Sequence, residues 1–183
     1  MTTSTSEIYP RRTRILHWLV AILVFAALVI GFTMVHTVAD YTVLVAVHKT
    51  LGVVILAVVV LRAVNRFTHR VPPLPRTVGR AERVLVVGSE FAMYGLLLAQ
   101  PLVGWAMVSA SGTPVVVFGG IELPAIAPTD AGAYAILRNT HSVLALALAV
   151  TIAAHISAVL LHTITLRDGM IRRITLRPKN ART

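Results

Sequence analysis

The sequence predicts an all-α membrane protein, a four-transmembrane-helix bundle with both termini in the cytoplasm. Three observations carry that reading: an apolar composition, four apolar stretches of spanning length, and a one-sided distribution of arginine and lysine. Of the 183 residues, 56% are hydrophobic and only 13% are charged, against about 25% charged in a soluble domain. Mean hydropathy is +0.80. A soluble core of this size cannot hide so much apolar surface, so lipid is the expected solvent. The absence of cysteine excludes disulfides, thiolate metal sites, iron–sulfur clusters and covalently attached c-type haem.

Each span approaches the ~20 residues needed to cross about 30 Å of hydrocarbon. They are expected at about 15–35, 41–61, 84–108 and 134–166, within a single transmembrane domain covering 1–183. The first is too long for a cleavable signal peptide and lacks a small-residue cleavage site. Pro101 is expected to kink the third span, and Gly95 and Gly104 to permit close packing there. The connection at 109–132 mixes Gly and Pro with two apolar runs too short to cross. It is expected to fold back on the membrane surface.

Of the 17 Lys and Arg, all but Lys49 and Arg138 fall before span one, between spans two and three, or after span four. The positive-inside rule therefore places both termini and the middle loop in the cytoplasm. A solvated basic face beside an anionic lipid bilayer accounts for the formal charge of +10 and leaves no role for nucleic acid.

Ionisable groups at membrane depth are costly and mark function. Of the seven histidines, His69 lies in the middle loop and carries no role, and His36 is expected at the interface. His141 and His155 are fourteen positions apart, four turns less about 40°, so they share a face and stand about 21 Å apart along the helix axis. His162, seven further on, falls within about 20° of that face. Chain direction puts His48 level with His141, and His17 level with either His155 or His162. Two cross-helix pairs suit two b-type haems, each iron taking one imidazole on either side, because bundle interiors hold such cofactors. Gly52, Ala154 and Ser157 offer small surfaces beside the ligands. A hydrogen-bonded polar role is the alternative for any single histidine. For the set it is a divalent-metal path, which would want carboxylates where the spans offer only Glu90. No nucleophile–base pair, H-E-x-x-H or phosphate loop points to hydrolysis.

The motifs R-x-L-H-W at 14–18, V-H-K-T-L-G at 47–52, V-L-R-x-x-x-R at 60–66 followed by Pro72 and Pro73, and M-Y-x-x-x-x-x-Q-P-x-x-G-W at 93–105, with the histidine series to His162, resemble the prokaryotic cytochrome b561 family over about 14–178. The resemblance implies four haem ligands, His48 with His141 on the periplasmic side and His17 with His155 on the cytoplasmic side, in a bacterial inner membrane. Thr140 and Ser142 depart from the residues usual beside the first ligand of span four.

The resemblance further implies electron transfer between haem and quinone, and in one branch a superoxide oxidase that passes electrons to ubiquinone. Lys49 and Arg138, each within one turn of an outer ligand, are then candidates to attract superoxide, or to anchor propionates or headgroups. His162 is a candidate quinone contact, since imidazole suits proton transfer near neutrality. Arg62 and Arg66 are candidate haem-propionate contacts. Glu90 could carry a proton or be hydrogen-bonded. The alternative function is an anchor subunit relaying electrons between quinone and a partner oxidoreductase.

Overall fold

The computed structural model describes residues 8–38, 40–68, 79–166 and 170–176. His69, Arg70, Arg76, Arg167 and the basic residues from Arg177 onward lie outside the described residues. Four helices are long and apolar enough to cross a bilayer among the described residues: α1 (Arg11–His36), α2 (Tyr41–Thr68), α3 (Arg80–Ala110) and α4 (Ala131–Leu160). The protein is a four-helix, multi-pass membrane bundle.

The helices run a turn or more beyond most of the expected spans. Hydropathy marks the hydrocarbon thickness, whereas the helices continue through arginine-rich turns in which Arg, Ala and Glu are good helix formers. α1 starts at Arg11 directly after Pro10, and α2 persists through Arg62 and Arg66 to Thr68. α3 runs through Pro101 without a break, although proline leaves the carbonyl one turn earlier without its helical donor. α4 begins where the Asp130 carboxylate accepts a hydrogen bond from the Ala133 amide at 2.6 Å, an N-cap that satisfies one orphan donor. Past Leu160 the winding changes to a π-helical turn, Leu161–Leu166. Straight α-helical spacing therefore no longer fixes where His162 points, a correction to the stripe drawn through it from sequence.

α1 packs along α2, α2 on α3, and α3 on α4. Val20 and Val24 of α1, Ile55 and Val59 of α2, Leu97 of α3 and Leu148 of α4 form one buried apolar cluster. It lies between the level of His48 and His141 and the level of His17 and His155. Many large apolar side chains point outward, including Ile22, Phe25, Phe32, Val43 and Leu146. That is the inverse of a soluble bundle, and it places the driving force in lipid solvation rather than a large internal core.

The 109–132 connection folds back as expected and forms an antiparallel hairpin, β1 (Val115–Val117) with β2 (Ile121–Leu123), in register Val117 to Ile121. Val115 and Val117 are buried while Val116 between them is half-buried, the alternation of a strand lying on a surface. The chain reverses through Phe118 and Gly119, both at positive φ (51° and 74°). Side chains stitch the loop to the helices. Thr50 Oγ1 accepts from the Phe118 amide (3.2 Å), Trp105 donates to the Pro124 carbonyl (3.0 Å), and Ser109 Oγ accepts from the Ile126 amide (3.2 Å).

At the opposite end, beyond the sequence expectations, residues 170–176 return to α1 as a strap. Arg14 donates to the Thr175 carbonyl (2.7 Å), Trp18 to the Ile174 carbonyl (3.1 Å), and the Tyr9 amide to the Arg173 carbonyl (3.1 Å).

Gly112 closes α3 at φ +74°, and a Cβ there would stand 3.0 Å from Thr129 Cγ2. Gly112→Ala is expected to destabilise the fold by about 1–2 kcal/mol from left-handed strain alone, with the methyl collision added. Gly119→Ala has the same φ but open surroundings, so its thermal midpoint in detergent should fall less than that of Gly112→Ala.

Candidate functional site

Four of the expected histidines meet as two pairs. His48 on α2 and His141 on α4 face each other at the hairpin end, ring centroids 6.2 Å apart and planes at 83°. His17 on α1 and His155 on α4 face each other at the strap end, 6.5 Å apart and at 56°. The sequence left His17 opposite either His155 or His162, and the fold brings it to His155.

The helices bearing these pairs, α1 with α4 and α2 with α4, make at most marginal backbone contact among the described residues, whereas their chain neighbours pack directly. The rings therefore reach across spaces between helices. Two glycines shape the hairpin-end space. A Cβ on Gly31 of α1 would stand 3.2 Å from His48 Cε1, and one on Gly104 of α3 would stand 3.0 Å from His141 Cε1. The imidazoles occupy room that any other residue would fill. Gly104 was expected to allow close approach, but Gly31 was missed. Gly52 was expected to make room beside His48, and nothing lies within 4 Å of a Cβ built there.

These residues fit a metal held between imidazoles. The buried Nδ1 atoms of His48 and His141 have no hydrogen-bond partner, a condition costing about 1–3 kcal/mol each. His155 stands exposed, with Ala154 and Ser157 exposed beside it, on an apolar spanning helix. A metal bound by both imidazoles of a pair at about 2.0 Å from each nitrogen would need ring centroids about 6 Å apart. Both pairs match that spacing. Among the described residues no three His, Asp or Glu side chains converge. Each pair thus brings two imidazoles, and no third such donor, within reach of one metal ion, which would suit an iron whose other ligands come from a porphyrin.

The two pairs have different neighbours. At the hairpin end, Gln100 Nε2 lies 3.3 Å from His141 Nε2 and donates to the His141 carbonyl at 3.2 Å, leaving Gln100 Oε1 buried and unpartnered. Gln100 was quoted only as part of a motif. The signal that could have singled it out is a lone amide inside an apolar span. At the strap end, Arg62 lies 3.0 Å from His17 Nδ1 and over the Tyr94 ring at 5.4 Å. A guanidinium can only donate, so His17 Nδ1 is the acceptor.

Arg66 forms a two-pronged ion pair with Glu90, Nη2 to Oε2 at 3.0 Å and Nε to Oε1. Its fork is therefore directed at Glu90, and Glu90 is an ion-paired acid. Lys49 is half-buried and Arg138 exposed at the hairpin end. His36 is exposed at the end of α1, with Nδ1 2.8 Å from the Phe32 carbonyl. His162 is half-buried in the π-helical turn.

Comparison with known proteins agrees with this geometry. The family model for prokaryotic cytochrome b561 matches residues 8–176. Cytochrome b561 homolog 2 of Escherichia coli (strain K12) is 30% identical over 177 residues, covering 94% of this chain and 93% of the relative. With its four spanning helices and facing histidines, the chain belongs to the prokaryotic cytochrome b561 family, haem b-binding membrane proteins of electron transfer.

Proposed function

We propose that this membrane cytochrome holds two haem b groups, one between His48 and His141 and one between His17 and His155, and acts as a superoxide:ubiquinone oxidoreductase. The observation that supports it is the two pairs of facing imidazoles, at 6.2 and 6.5 Å, at two depths of one single-domain bundle. When bound, the haems supply one-electron carriers at those two depths. The net reaction oxidises two superoxide anions to two molecules of oxygen. One ubiquinone takes up the two electrons and two protons and becomes ubiquinol.

The positive-inside rule assigns the hairpin end to the periplasm and the strap end to the cytoplasm of a bacterial inner membrane. Lys49 and Arg138 then lie on the side where superoxide arrives, and their charge raises the local concentration of a small anion. Gly31 and Gly104 let the outer imidazoles sit back against the helices. The apolar layer from Val20 to Leu148 keeps water from the space between the two levels. At the inner end His162 is the candidate contact for a quinone carbonyl, as hydrogen-bond donor and proton source. Arg62, beside His17, is the inner-propionate candidate among the span-two arginines, Arg66 being held by Glu90.

The deciding experiment supplies superoxide to the purified chain in ubiquinone-containing liposomes and follows ubiquinol. Formation by the chain alone is expected. Formation only after a partner oxidoreductase is added would make the protein an anchor subunit instead. A pyridine haemochrome assay should find two haems per chain, and His48→Ala or His141→Ala should leave one; retention of two would defeat that pairing. Gly104→Leu, pushing directly into His141, should also empty the outer site alone. Replacing Lys49 and Arg138 together by Gln should slow superoxide oxidation several-fold at low salt and progressively less as ionic strength rises, with haem content unchanged. A rate indifferent to these charges would dismiss the attraction.

A further inference from the structure

We infer that the buried guanidinium of Arg14 is the seat of an oxyanion, and that its occupant is a propionate of the haem held at His17 and His155. The inference rests on the two-haem reading above and adds a residue that reading does not use.

Arg14 is one of three arginines at the start of α1, and it differs from the other two. Arg11 and Arg12 are exposed, whereas Arg14 is only 8% exposed. Its Nη1 donates to the Thr175 carbonyl at 2.7 Å, while its Nε is buried without a partner. A guanidinium carries five N–H donors and a permanent charge. Burying such a charge without a counter-ion costs several kcal/mol. Among the described residues the ion pair is Arg66 with Glu90, and no carboxylate is within ion-pair distance of Arg14. The buried guanidinium thus keeps an unspent donor and, among the described residues, meets no carboxylate.

Position identifies the missing anion. Arg14 precedes His17 by three residues, so the two side chains share a helix face, about one turn apart, with Arg14 nearer the end of the bundle. The strap closes over it, fixed by Arg14 itself and by Trp18, whose indole also meets the His17 ring edge-on at 5.7 Å. Arg173 of the same strap is buried against the Tyr9 ring at 5.7 Å. Carboxylates and phosphates would both satisfy Arg14, because both accept charge-assisted hydrogen bonds. A lipid phosphate approaches from the headgroup layer, where Arg11 and Arg12 stand exposed to meet it. Arg14 is shielded from that layer by the strap and shares its face with the inner ligand, which favours a carboxylate attached to the inner cofactor.

The test compares the wild-type holoprotein with Arg14→Gln and Arg14→Lys. Glutamine keeps a donor for the Thr175 carbonyl and removes the charge; lysine keeps both. Haem loss to excess apomyoglobin is followed in time, and the midpoint potential of each haem is titrated. In Arg14→Gln one of the two haem-loss phases should accelerate by about tenfold, the worth of one hydrogen bond to a charged group. The inner midpoint should fall, because a cation favours the electron-rich reduced state. Arg14→Lys should restore most of both, and the outer phase should not move. Unchanged kinetics and potentials in Arg14→Gln would overturn the assignment while leaving the two-haem reading intact. Equal damage in both variants would overturn it in favour of a packing role. Loss of a co-purified phosphatidylglycerol in native mass spectra, with both haems unaffected, would overturn it in favour of a lipid phosphate. A wild-type chain without an inner haem would sink the proposal together with the reading beneath it.

Discussion

An imidazole within a lipid bilayer must find something to bind. Water is absent, the helix has already used the backbone groups, and a polar ring turned toward hydrocarbon is costly. This chain carries four such rings in two facing pairs. Much of the rest of the bundle can be read as a consequence. The two helices of each pair, α2 with α4 and α1 with α4, make at most marginal backbone contact among the described residues, so the scaffold depends on α1 on α2, α2 on α3 and α3 on α4. α3 bears none of the four rings. It serves as the wall that ties α2 to α4, and it supplies Gln100, Gly104 and Glu90 to the sites on either side.

The apolar cluster follows from the same constraint. Val20, Val24, Ile55, Val59, Leu97 and Leu148 draw on all four helices at one level, and that level lies between the histidine pairs. Side chains from all four helices meet in that one cluster, and the facing imidazoles lie above and below it. A continuous core would be more stable by the usual burial argument, but it would leave no room between the ligand-bearing helices. The hairpin and the strap then close the two ends, with hydrogen bonds through Thr50, Trp105 and Ser109 and buried Val115 and Val117 at one end, and hydrogen bonds of Arg14 and Trp18 at the other.

Much of this was legible in the sequence because it depends on period and charge. Four apolar stretches gave four helices, and the fourteen-residue spacing of His141 and His155 survived as a shared face because α4 is regular between them. Legibility ended where geometry departs from regular α-helix. The π-helical turn begins one residue before His162, so arithmetic at 100° per residue no longer applies there. Gly31 gave no signal, since glycine is common in membrane helices, and only the approach of His48 from a neighbouring helix marks it. Arg66 carries the same charge as Arg62 and lies four residues away. Only the fold shows that Glu90, from a different helix, occupies its fork. The strap was unreadable because its hydrogen bonds end on backbone carbonyls, which have no residue identity.

The two histidine pairs are alike in spacing but not in electrostatics, and the difference bears on the proposed direction of electron flow. His141 has a neutral amide, Gln100, beside its ring, whereas His17 has the guanidinium of Arg62 at 3.0 Å. Arg66 is paired with Glu90, so among the described side chains Arg62 is the cation directed at His17, and a propionate bound there would offset part of its charge. A fixed positive charge beside a redox centre stabilises the form that has gained an electron, and in a medium of low dielectric it acts strongly. In the proposed function this cation would favour reduction of the haem held at His17 and His155. Lys49 and Arg138, on the opposite side, stand where they can draw in an anion. Under the proposed function, Lys49 and Arg138 would collect the anionic reductant at the hairpin end, and the Arg62 charge would favour an electron that has reached the strap end.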